Sequence, residues 1–74
     1  MTFSSALDKL KGGSRISRTR WNGLGQYLEL QKPDELSKMT LPYIYIKTVE
    51  GNLVPWFASQ TDLLSDDWVI VPNG

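Results

Sequence analysis

The segment Tyr43-Ile44-Tyr45-Ile46-Lys47-Thr48-Val49 constrains this chain more than any other, because its aromatic and β-branched residues leave a strand as the natural conformation. A side-chain period of two puts Ile44 and Ile46 on one face and Tyr43, Tyr45 and Lys47 on the other. Glu50-Gly51-Asn52 then closes the strand into a hairpin with Leu53-Val54. If the isoleucines face a core, the two tyrosines with Val49 form an outer apolar strip that meets either water or another subunit.

The remaining segments build around that hairpin. Thr2 can cap a first helix in which Phe3, Ala6, Leu7 and Leu10 fall at i, i+3, i+4 and i+7, a single apolar stripe. Gly12 and Gly13 stop it. A short strand is expected over Ser14 to Arg18, and Trp21-Asn22-Gly23 makes a tight turn, since Asn-Gly tolerates positive φ. Gln26 to Leu30 resumes a strand pattern. Residues 31–42 carry two prolines and mixed charges without a sustained period, and read as a loop with one helical turn at Asp34 to Lys38. A short helix from Ser59 to about Leu64 and a last strand, Trp68 to Val71, complete the chain, with Pro72 ending it. The expected class is α+β: a small antiparallel β-sheet with an N-terminal helix and a short helix before the last strand, all in one domain over residues 1–74.

Seventy-four residues place the chain near the size at which a single core supplies only on the order of 3–5 kcal/mol. Without cysteine there is no disulfide framework and no thiolate metal site, and without histidine a common base and metal ligand is missing. No cofactor is called for, and homo-oligomerisation is the expected source of extra burial. Eight lysines and arginines balance eight aspartates and glutamates, which argues against DNA or RNA, whose binding rests on a basic face. No segment approaches the roughly 20 apolar residues of a membrane span, and no signal peptide is recognisable, so a cytoplasmic location is expected.

Chemistry concentrates in residues 51–68, where two tryptophans accompany the uncharged polar run Ser59-Gln60-Thr61. Pro55 stiffens the approach to Trp56, and Ser59 is placed to cap a helix with Asp62 closing a capping box. A helix start beside an aromatic face suits a base and a phosphate or ribose; equally, Trp56 is core and Ser59 a plain cap. Asp62, Asp66 and Asp67 lack the ligand order of a calcium loop, and capping explains the first and solvent exposure the other two. Lys9, Lys11, Arg15, Arg18 and Arg20 gather positive charge early in the chain, while the three aspartates gather negative charge late. That asymmetry fits pairing between protomers or a phosphate site, to which Arg18 or Arg20 would contribute.

The chain resembles the second type of bacteriophage Thoeris anti-defence protein. The resemblance is carried by Met1-Thr2-Phe3-Ser4 with Ala6-Leu7, by Arg20-Trp21-Asn22-Gly23, and above all by Val54-Pro55-Trp56, Ala58-Ser59-Gln60-Thr61-Asp62-Leu63-Leu64 and Asp67-Trp68. It implies a non-enzymatic sponge that binds cyclic ADP-ribose isomers, such as glycocyclic ADP-ribose, made by Thoeris TIR proteins in the cytoplasm of an infected bacterium. It further implies homo-oligomers, commonly tetramers, with pockets between protomers. Some relatives also hold cyclic oligonucleotides of CBASS defence at separate sites. Carried over by position, Trp21 and Trp56 would stack on adenine, Asn22 would hydrogen-bond the ligand, and Ser59, Gln60, Thr61 and Asp62 would meet ribose and phosphate. The chain departs from many relatives in its short 31–42 connection and in Ser5, where a capping-box glutamate is frequent. Two other readings stand beside the sponge: a nucleotide-degrading enzyme using Asp62 or Asp67 as base, and an interaction module whose tyrosine strip binds a host defence enzyme.

Overall fold

The computed structural model describes residues 1–21 and 25–72. Its elements are α1 (Phe3–Lys11), β1 (Arg15–Arg18), β2 (Tyr27–Gln31), β3 (Tyr43–Lys47), β4 (Leu53–Pro55), α2 (Gln60–Leu64) and β5 (Trp68–Val71). All strand pairs are antiparallel, in the order β4-β3-β2-β1-β5. The α+β class expected from the sequence is therefore the one observed.

The first helix begins and ends where its sequence provides for it. The Thr2 hydroxyl accepts the Ser5 N–H at 3.3 Å. At the other end the Ser14 N–H donates to the Lys9 carbonyl and the Gly13 N–H to the Leu10 carbonyl, the pairing of a Schellman motif, with Gly13 at φ 98°. This turn sends the chain directly back beneath the helix as β1. Leu10 and Ala6 are thereby pressed onto Ile16 and Leu28, which face each other across β1 and β2. Together with Trp68 these are the fully buried apolar side chains among the described residues, each aliphatic one of Leu or Ile size contributing about 1.5–3 kcal/mol.

Register divides the sheet into two faces. Ile16, Leu28, Ile46 and Val54 are successive cross-strand partners and share the side covered by α1, while Tyr27, Glu29, Tyr45 and Pro55 share the other. The isoleucines of β3 do face the core, as the alternation predicts. Val49 does not join the tyrosines: β3 ends at Lys47, and Val49 sits in the turn, exposed, where the Gly51 N–H donates to the Thr48 carbonyl. Positive φ at Gly51 makes that tight reversal possible.

One further expectation changes. The segment Asp34 to Lys38 forms no helix; it makes one turn, closed by Ser37 N–H to Asp34 carbonyl at 3.1 Å and braced by Leu36 N–H to the Asp34 side chain. Pro33 and Pro42 bracket a stretch too short and too mixed in pattern to bury a helical face. The Asn22-Gly23 turn lies outside the described residues.

Candidate functional site

The three tryptophans meet on the helix side of the sheet. Trp68 is fully buried, and Trp21 and Trp56 stand edge-on to it with ring centroids at 5.5 and 6.1 Å. Phe3 of α1 closes the cluster, 5.3 Å from Trp68 and 5.9 Å from Trp56. Both outer tryptophans remain half-buried. Each belongs to a segment pinned by its backbone: Trp21 N–H donates to the Arg18 carbonyl, and Trp56 N–H to the Ile44 carbonyl. The result is two braced indoles, each retaining exposed surface, on either side of a third that is wholly core.

A buried ion-pair network lies beneath them. Arg18 donates from Nη1 to Asp62 Oδ1 at 2.8 Å and from Nε to Asp67 Oδ1 at 3.0 Å, and all three side chains are nearly inaccessible. Asp67 also accepts from the Arg20 N–H and the Thr19 hydroxyl, which fixes the start of the segment leading to Trp21. Asp62 completes the predicted capping box: its Oδ2 accepts the Ser59 N–H at 3.1 Å while its own N–H donates to the Ser59 hydroxyl at 3.0 Å. The Asp62 carbonyl accepts the buried Trp68 indole N–H at 3.0 Å.

Electrostatics follow from this geometry. Burial pushes the Asp62 carboxyl up, but the Ser59 N–H, the Arg18 guanidinium, the Ser59 hydroxyl and the nearby Trp21 indole outweigh it and hold it below the usual value. Burial likewise opposes ionisation of Asp67, and hydrogen bonds from Arg18 and the Arg20 backbone overcome it. The charge asymmetry along the sequence is thus resolved within one chain in part, through Arg18, Asp62 and Asp67. Asp67 is consequently not the solvent-exposed residue its sequence suggests, whereas Asp66 is exposed.

The residues singled out from sequence separate into two groups. Arg18 and Asp62 are turned inward onto each other. Trp21, Trp56, Ser59, Gln60, Thr61 and Arg20 keep exposed surface, and Asn22 lies outside the described residues. The Ser59 and Asp62 N–H groups are taken by the capping box, so what the start of α2 offers a ligand is the backbone N–H groups and side chains of Gln60 and Thr61. Phe57, not singled out from sequence, is 90% exposed between two anchored points, Trp56 and the Ser59 cap. Its only signal was its place after Pro55-Trp56.

On the other face of the sheet, Tyr45 donates its hydroxyl to Glu29 Oε2 at 2.7 Å, Glu29 pairs with Arg15, and Arg15 and Lys47 lie over the Tyr27 ring at 4.5 and 5.5 Å. Burial, then the Glu29 hydrogen bond and charge, push the Tyr45 phenol up to about 12. Among the described residues no helix covers this face. It carries a shallow depression of about 80 Å³ lined by Gln31, Tyr43, Tyr45, Leu53, Val54 and Pro55, far smaller than the roughly 300–1,000 Å³ of a small-molecule site.

Among the described residues no three His, Cys, Asp or Glu side chains are grouped to hold a metal ion, and no helix is long and apolar enough to cross a membrane.

The chain is 36% identical over 84 aligned residues to Thoeris anti-defense 2 of Bacillus phage SP01, an alignment covering 96% of this chain and 94% of that protein. A family model described as the Thoeris anti-defense 2-like domain matches residues 1–71, nearly the whole chain and every element of the sheet. The chain therefore belongs to the Thoeris anti-defense 2-like family.

Proposed function

We propose that this protein binds a cyclic ADP-ribose isomer made by a Thoeris TIR enzyme and sequesters it without cleaving it, so that the downstream effector in the infected host goes unsignalled. The observation that carries this reading is the pair Trp21 and Trp56, each half-exposed and each braced against Trp68, in a chain of an anti-defence family. Rigid aromatic faces bind a purine at little entropic cost, with stacking contributing about 1–3 kcal/mol per base. Gln60, Thr61 and Arg20 supply polar groups nearby in sequence for ribose and phosphate.

Sequestration below an effector's threshold calls for tight binding, and nanomolar affinity corresponds to about −12 kcal/mol. Two part-exposed indoles do not reach that figure alone, which supports a pocket completed by a second protomer. The uncovered sheet face, with Tyr27, Tyr43 and Tyr45 half-buried and Leu53 64% exposed, gives such a homo-oligomer, a tetramer in this proposal, a surface to assemble on. Binding is favoured over hydrolysis by the state of the acids: Asp62 and Asp67 are ion-paired to Arg18 and held below the usual carboxylate range, which makes them poor general bases.

Titration of the protein with glycocyclic ADP-ribose while following tryptophan fluorescence tests the reading. Saturable quenching that is lost in both Trp21→Ala and Trp56→Ala is expected. Unchanged emission, with no heat of binding by calorimetry, would remove the nucleotide from consideration and leave a protein partner.

A further inference from the structure

The ion pair under the tryptophans has a role that its burial alone does not explain. A buried pair is a poor investment in stability, since desolvation cancels most of the attraction. Here it does something geometric. Arg18 is the last residue of β1, and its carbonyl holds Trp21 through the Trp21 N–H. Asp62 lies 44 residues further on and, through the capping box, holds Ser59, the end of the segment that carries Trp56 and Phe57. The 2.8 Å contact between Arg18 and Asp62 is thus a direct tie between the two tryptophan-bearing segments. Asp67 extends it by fixing Thr19 and Arg20.

Neither member is well placed to touch an anionic ligand. The Arg18 side chain is 9% exposed, and a phosphate approaching it would meet two carboxylates already within 3.0 Å. Asp62 carries a negative charge and spends both carboxylate oxygens inside the protein.

We propose that the Arg18–Asp62 pair is a positioning device: it fixes the spacing of the Trp21 and Trp56 segments before a ligand arrives, and neither residue contacts that ligand. This rests on the nucleotide-binding reading, and it refines that reading by moving Arg18 and Asp62 from the contact surface to the frame behind it. A frame set in advance spares the ligand the cost of ordering its own site.

The test uses the full chain with Asp62→Asn, which retains the shape and an acceptor for the Ser59 N–H but loses the charge facing Arg18. In the unliganded protein, well below its melting temperature, ¹⁵N relaxation of the three indole N–H groups is measured, followed by titration with glycocyclic ADP-ribose. The expected result is that the order parameters of Trp21 and Trp56 fall from about 0.85 towards 0.6, while Trp68 keeps its value. Affinity falls about tenfold, as for loss of one charged hydrogen bond. Weaker binding with unchanged order parameters would make Asp62 a ligand contact and overturn the proposal, and so would unchanged order with unchanged affinity. Should the wild type fail to bind the nucleotide, the binding reading falls, and the indole order parameters alone decide whether the pair positions the tryptophans. Arg18→Lys, which keeps the charge but not the fork, gives the same readout if Asp62→Asn does not fold.

Discussion

The indole N–H of Trp68 donates to the backbone carbonyl of Asp62 at 3.0 Å, tying the most buried aromatic of the core to the residue whose side chain faces Arg18. Core and candidate site are therefore one structure. Trp68→Phe keeps an aromatic ring but leaves that carbonyl buried without a donor and a void beside Trp21 and Trp56. It is expected to destabilise the fold by about 2–4 kcal/mol, a large share of what a chain this small holds. Urea denaturation read by far-UV circular dichroism measures it. A loss below half a kcal/mol would mean that the hydrogen bond and the ring packing contribute little.

Acid should unfold the protein through the carboxylates that face Arg18. Asp62 and Asp67 are both held below the ordinary value in the folded state, so the unfolded chain binds the extra protons first. Their contribution is fully present above the unfolded value of about 3.9 and is lost as pH falls through the folded values. Urea midpoints should hold steady from neutral pH to about pH 5 and drop below about pH 4. The drop should be shallower in Asp67→Asn, measured across the same series, because one of the two groups no longer titrates.

Tyr45 should ionise late. Burial and the hydrogen bond to Glu29 favour its neutral form, and it titrates at about 12. Since the folded state holds this proton above the unfolded value of 10.0, its contribution is complete below 10.0 and is lost as pH rises through about 12. Ultraviolet titration should show a phenolate step there that is absent from Tyr45→Phe and moves down in Glu29→Gln. A step at the same pH in Tyr45→Phe would assign it to another tyrosine.

Gly13→Ala isolates a backbone effect. A Cβ at this position would have nothing within 4 Å, so no clash arises, but φ of 98° is strained for any residue with a side chain. The expected cost is about 1–2 kcal/mol, seen as a lower melting temperature with unchanged secondary structure.

How far the sequence reveals this molecule depends on how local each feature is. The β3 alternation, the Gly12-Gly13 stop, the Ser59 capping box and the bounds of β5 all follow from residues within a few positions of one another, and each is observed. The Asp34 to Lys38 segment is a single turn and not the expected helical one because a short polar run has no apolar face to decide between helix and loop. What a linear reading does not supply is partnership at a distance. Arg18 and Asp67 are 49 residues apart, and only the β1–β5 pairing brings Arg18 opposite Trp68 and beside Asp67. For the same reason the early cations and late aspartates looked like an intermolecular pair or a phosphate site, when Arg18 is satisfied within its own chain. Trp21 is legible as an aromatic at a turn and Trp56 as either core or an aromatic face beside a helix start, but their common brace, Trp68, is not.

Recovering the ligand after binding distinguishes capture from cleavage. The protein is mixed with the product of a Thoeris TIR enzyme, freed of unbound nucleotide by filtration and heat-denatured, and the supernatant is analysed by mass spectrometry. Intact cyclic nucleotide in near-stoichiometric amount is expected. A linear or otherwise altered product, or turnover beyond one per site, would contradict capture without cleavage.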